Sequence, residues 1–201
     1  MTVPTYLFWD SCVLNAHLYE ESHKYDIASI RQFLDDARLH RTYEIFTSSI
    51  SLAEVSIRNI KLPIGSLRDF LEDYTGQINQ VEPSANVMML AGQLREIRYK
   101  KAGYNKSRVL TVPDAIILAS CLYLQDAHGI KIDLFHTFDD GKREKTVPLL
   151  SFHEWCDGLG TEDMALAQRV CDLKRERPIH PNASPALPPP LAAPALEAPK
   201  P

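Results

Sequence analysis

The stretch Thr5-Tyr6-Leu7-Phe8-Trp9-Asp10-Ser11 is a short continuous apolar run that stops on an acid and a hydroxyl residue. Such a run reads as a buried strand, and Asp10-Ser11 offers a cap to a helix starting over VLNAHLY, residues 13–19. Further along, Ile27, Ile30, Phe33, Leu34 and Ala37 share one helical face. Tyr43 to Thr47 is a second strand, and a helix from Ser51 to Lys61 follows, ended by Pro63 and Gly65. Leu67 to Tyr74 reads as a short helix and Val87 to Tyr99 as a longer one. Ala115 to Leu124 is apolar on every side, the mark of a helix inside the fold. Leu134 to Phe138 is a strand ending in Asp139-Asp140-Gly141, and Val147 to Leu150 a last short strand. Strands separated by helices predict an α/β sandwich with a mostly parallel sheet.

The chain has 201 residues, 45% hydrophobic and 24% charged, enough apolar material for one good core. From Pro178 onward it holds nine of its fourteen prolines. Proline removes backbone donors and favours extended geometry, so residues 178–201 are expected to be a solvated, disordered tail. Residues 1–157 then form the domain, with 158–177 a C-terminal helical extension. Net charge is −4, so only a local basic patch can attract a polyanion. Cys12, Cys121, Cys156 and Cys171 lack metal-ligand spacing, and reduced thiols in a cytoplasmic protein are the expectation. The N-terminus lacks a basic secretory region, and the longest apolar run is about half a membrane span.

Acids stand where open parallel sheets collect function, at the carboxyl ends of strands and the helix starts beyond them. Asp10 closes the first strand and Asp139 the strand Leu134–Phe138; Glu54 follows the second strand, and Asp114 opens the buried helix. Each has a structural reading. Glu54 completes a capping-box pattern with Ser51, and Asp114 one with Thr111. Asp10 suits a helix cap, and Asp140 before glycine suits a turn. Together the four read differently. Carboxylates converging on one edge repel unless a cation joins them, and Mg²⁺ or Mn²⁺ prefers such oxygen donors. An acidic site holding that ion suits hydrolysis of a phosphodiester.

The chain resembles the PIN-domain family over roughly Thr5 to Leu150. The resemblance is carried by FWDSCVLNAHL around Asp10, TSSISLAEVSI around Glu54, LTVPDAIILASCL around Asp114 and LFHTFDDG around Asp139, matching in order, spacing and context. It implies a three-layer α/β/α fold, dependence on Mg²⁺ or Mn²⁺, and endoribonuclease action through Asp10, Glu54, Asp114 and Asp139. Small relatives of this kind include VapC-like toxins, commonly dimeric and restrained by an antitoxin. The extra sequence around Pro63 to Pro83 and the proline tail depart from that toxin pattern.

Arg95, Arg98, Lys100, Lys101, Lys106 and Arg108, interleaved with Tyr99 and Tyr104, lead toward Asp114. Cations neutralise phosphates and tyrosines stack on unpaired bases, so Arg98, Lys100, Lys101, Lys106 and Arg108 are candidates for RNA contact. A solvated helix end and loop has the same pattern. Lys142, Arg143 and Lys145 form a second basic bank or a charged turn. Ser11 and Thr137 are placed to orient carboxylates or simply to cap, the histidines have no relay spacing, and Cys12 and Cys121 read as core. A dehalogenase-type phosphatase needs a second aspartate where Cys12 stands, and a receiver domain needs an acidic pair and a lysine after a later strand, a pattern this chain does not fit. The rival from another class is a non-catalytic RNA- or protein-binding module of PIN-like shape.

Overall fold

Side chains alternate across a strand, and here both faces are buried: Leu7 and Trp9 join one apolar cluster with Ile45, while Phe8 joins another with Phe46 and Phe135. A sheet buried on both faces needs cover on each, which is why these strands read as unbroken apolar runs. The computed structural model describes residues 3–62, 76–141 and 146–183, with positions 69, 72 and 74. The expected helix 67–74 and the bank Lys142, Arg143 and Lys145 lie wholly or mostly outside the described residues.

The strands are β1 (Thr5–Trp9), β2 (Tyr43–Ser48), β3 (Ile78–Val81), β4 (Leu134–His136) and β5 (Arg175–Glu176), in the spatial order β3-β2-β1-β4-β5. Every pairing among them is parallel. The helices are α1 (Ser11–Leu18), α2 (Ile27–Leu39), α3 (Ile50–Ala53), α4 (Ala85–Glu96), α5 (Val112–His128) and α6 (Thr161–Cys171). α1 and α2 pack on the Leu7/Trp9 face; α4, α5 and α6 pack on the Phe8 face. The result is a three-layer α/β/α sandwich. The chain runs outward from β1 to β2 and β3, then returns to lay β4 on the other side of β1. The β1/β4 junction is therefore the switch point, where open sheets leave a crevice at their carboxyl ends.

Several expectations need correction. The helix over Ser51 to Lys61 is one α turn, α3, followed by a 3₁₀ turn at Ile57–Asn59. Lys61 N bonds Leu18 O, so a tertiary partner diverts this backbone from a helix. Val147 to Leu150 is not a strand: Thr146 makes one bridge to Val109, and Pro148 interrupts any ladder. The outer strands are instead β3 and β5, both short, the first half polar and the second wholly so. The segment 158–177 is no appendage, since α6 buries Ala167 and Val170 in the main core and β5 pairs with β4. The first part of the expected tail is docked as well. Pro178 is buried, and His180, only 3% exposed, receives its place from Ser29 Oγ, which accepts its backbone N–H at 2.9 Å. Its ring meets Phe33 edge-on at 4.6 Å, with Nε2 3.1 Å from Asp36. Residues beyond Ala183 lie outside the described set. No helix among the described residues is long and apolar enough to cross a membrane.

Candidate acidic site at the carboxyl edge

Asp10 leaves β1 with extended backbone and stands immediately before α1. An ordinary N-cap side chain reaches the second or third helical amide, but Asp10 Oδ1 accepts from the first, Ser11 N, at 2.7 Å. Its other oxygen turns toward β4 and accepts from Thr137 Oγ1 at 2.7 Å and from the Cys12 thiol at 3.0 Å. Asp10 is 3% exposed. Burial raises its pKa, opposed by the Thr137, Cys12 and Ser11 hydrogen bonds and reinforced by the charge of Asp139.

Thr137 is the link between two acids. While its hydroxyl donates to Asp10, the same oxygen accepts from Asp139 N at 3.0 Å, and its own N–H is held by Glu176 O of β5 at 3.1 Å. Asp139 is then fixed from two directions. Oδ1 accepts from Gly141 N at 3.2 Å and Oδ2 from Leu149 N at 3.0 Å. Gly141 sits at φ +83, and a Cβ there would lie 2.7 Å from Pro148 Cβ, so the turn admits glycine for two independent reasons. The segment misread as a strand is thus the clamp on Asp139. Asp140 is exposed, as a turn residue should be.

Asp114 lies in the first turn of α5, whose cap Thr111 accepts from Asp114 N and donates to Asp114 Oδ2 at 2.5 Å. Its pKa rises to about 6, first from burial, then, against the Thr111 bond, from the charges of Asp10, Asp139 and Glu54. That ordering places all four acids within one electrostatic neighbourhood. Glu54 is exposed just beyond α3, at its C-terminal end, so the capping-box reading with Ser51 fails there. No cation figures among the main influences on Asp10 or Asp114.

The donors are hard oxygens, which suits Mg²⁺ or Mn²⁺ in chemistry. Yet among the described residues no three His, Cys, Asp or Glu side chains gather into a ready-made metal-holding group. Asp10, Asp114 and Asp139 instead rest each on its own donors, the arrangement like charges favour. Two clefts among the described residues lie elsewhere. One of about 770 Å³ opens beside Arg41, Tyr43 and Asn79 at the start of β2, and one of about 370 Å³ beside His17 and Arg31. Neither is lined by any of the four acids.

Sequence reasoning missed Cys12, which was read as core. Its sulfur is half-buried, donates to Asp10 and accepts from Phe138 N at 3.1 Å. Burial and the Asp10 charge push its pKa well up, so it acts as a neutral thiol donor. Only the i, i+2 spacing from Asp10 hinted at this. Cys121 is a core residue, 1% exposed.

The basic segment is a loop closed by paired backbone bonds between Tyr99 and Arg108. Tyr99 is fully buried and donates its hydroxyl to Leu94 O, so it has no face for a base. Lys101 is ion-paired with Glu154, and Arg108 lies 4.1 Å over the Trp155 ring while donating to Thr146 O. Arg98, Lys100 and Lys106 are exposed and carry no side-chain ion pair among the described residues. Tyr104 is 52% exposed beside Trp155. No family model matches the chain, and no curated protein matches it.

Proposed function

We propose that this chain is a metal-dependent endoribonuclease of the PIN-domain kind, cutting RNA at the edge that carries Asp10, Glu54, Asp114 and Asp139. The observation that carries the reading is the state of Asp114. Its carboxyl is raised to about 6 by burial and by three other carboxylates, with no cation among the main opposing influences. Carboxyls raised in this way cluster at functional sites, and like charges without a counter-ion suit a positive ligand. Asp10, Asp139 and Asp114 would hold a Mg²⁺ or Mn²⁺ ion, with Glu54 at the exposed rim. When bound, that ion supplies an activated water and neutralises charge growing on the phosphate.

The chain's own residues do the positioning. Thr137 and Ser11 N fix both oxygens of Asp10, and Leu149 N and Gly141 N fix both oxygens of Asp139. Preset carboxylates lose little entropy on binding a cation. Arg98, Lys100 and Lys106 supply free positive charge on the loop leading into α5, suited to the phosphates of a flexible strand. Tyr104 offers a half-open ring for stacking.

The test is incubation of the purified chain with single-stranded RNA in Mn²⁺, in Mg²⁺ and in EDTA, with the cut ends mapped. Water as nucleophile leaves no 2′,3′-cyclic phosphate, which separates this chemistry from attack by the ribose hydroxyl. Metal-dependent cuts free of cyclic ends are expected. RNA binding without cleavage under every metal condition would overturn the nuclease reading and leave a binding module.

A further inference from the structure

Four cysteines without close spacing in sequence become one pair and two singles in space. Cys156, directly after the 3₁₀ turn Phe152–Trp155, and Cys171, the last residue of α6, bring their Sγ atoms to 2.9 Å as free thiols. That separation needs only a small further approach to reach the S–S distance of about 2.05 Å in a disulfide. Cys156 is buried and Cys171 half-exposed, so a reagent meets the pair from the Cys171 side. Arg175 lies alongside, its guanidinium donating to Val170 O at 2.6 Å and Leu173 O at 2.7 Å and covering the Phe152 ring at 5.0 Å. The hydrogen bond with Cys156, then the Arg175 charge, hold the Cys171 thiol below its ordinary value against burial. The same bond, with burial, raises Cys156. Cys171 is the sulfur a reagent reaches first, with Cys156 behind it as the second thiol.

We propose that Cys156 and Cys171 are a reversible dithiol–disulfide site, closed by a hydroperoxide, that staples the turn beneath the basic loop to α6. The Cys171 thiolate attacks a peroxide oxygen; an S–O bond forms and the O–O bond breaks. Sulfur is oxidised to the sulfenic acid and the departing hydroxide takes a proton to become water. Cys156 sulfur then attacks the sulfenyl sulfur, the S–S bond forms, the S–O bond breaks, and hydroxide leaves with the Cys156 proton as a second water. Two thiols and one hydrogen peroxide give one disulfide and two waters.

The turn that would be stapled carries the loop. Trp155 O accepts from Lys100 N at 2.8 Å, Gly158 N donates to Lys100 O at 3.2 Å, and the Trp155 ring lies against both Arg108 and Tyr104. Joining Cys156 to α6 removes freedom from the base on which residues 100–108 rest.

The experiment treats the full chain with hydrogen peroxide, alkylates remaining thiols after unfolding, and maps peptides without reduction. A cross-linked Cys156–Cys171 peptide is expected, lost after dithiothreitol, with Cys12 and Cys121 alkylated. Cys171→Ser should abolish the cross-link and Cys121→Ser should keep it. Amide exchange over residues 100–108 should slow several-fold on oxidation. Alkylation of all four thiols after peroxide, or Cys171 sulfinic acid without the cross-link, would overturn the site. A cross-link that leaves loop exchange unaltered would overturn the staple. Neither readout uses RNA or metal, so this outcome is independent of the nuclease reading.

Discussion

The acidic edge and the basic loop are opposite in more than charge. Asp10, Asp114 and Asp139 hang by short side chains from a strand end, a helix start and a glycine turn, each held by named donors. The cations of residues 95–108 sit on long side chains around a loop, and two of them are already spent on Glu154 and Trp155. Short tethers on rigid elements set direction; long tethers on a loop set only a field. The first region is suited to placing one reacting group and the second to gathering a polyanion of unspecified sequence.

The largest effect should come from the acids. Asp10→Asn or Asp139→Asn removes a fixed negative charge without changing shape, and RNA cleavage should fall about a thousandfold, several kcal/mol of lost stabilisation. Because Asn keeps only one of the two accepting oxygens that each acid uses, stability in EDTA should fall by about 1–3 kcal/mol, and Mn²⁺ should stabilise the parent more than either variant. Variants that cleave at the parental rate would show that the edge is only structural.

Acidity itself gives the next test, in metal-free buffer. Asp114 has a folded pKa of about 6 against an ordinary 3.8, so its contribution is present at low pH and lost as pH rises through 6. The loss is at most about 3 kcal/mol. His17 and His136 behave in the opposite sense: burial lowers each from 6.5 to about 4, so their contribution is present above 6.5 and lost as pH falls through 4. The difference isolates Asp114. Asp114→Asn should gain stability over the parent near about pH 7.5 and little near about pH 4, as read from denaturant melts. Equal differences at both values would mean that the four acids do not share a field.

For the loop, replacing Arg98, Lys100 and Lys106 together by Ala should weaken RNA binding about tenfold and flatten its salt dependence. Lys101→Ala should do less, because its charge is already met by Glu154. Equal losses from Lys101 alone and from the triple variant would erase the distinction between spent and free cations. The smallest effect belongs to neither region. His180→Ala should cost about 1–2 kcal/mol of stability through lost ring packing on Phe33 and the lost contact with Asp36. Cleavage per folded molecule should stay constant, and a chain ending at Ala183 should keep the full stability.

The positions of three of the four acids were legible because each stands beside a local signal: an apolar run before Asp10, a Thr-x-Pro-Asp helix start at Asp114, an Asp-Gly turn after Asp139. Their supports were less so. Leu149 N serves Asp139 from ten residues away, and Cys12 meets Phe138 N from 126 residues away in sequence. A backbone amide has no signature in the sequence.

What the sequence determined by itself is therefore the local part: β1, β2 and α5, whose apolar runs and caps need no partner to be read, and the identity of the acids. Tertiary structure decided the rest. It made Arg175–Glu176 an edge strand, buried Tyr99, spent Lys101 and Arg108, docked His180 and set the Cys156 and Cys171 thiols side by side. Periodicity reports which face of an element avoids water. It carries no information about which distant element will cover that face, and every one of these outcomes is set by that partner.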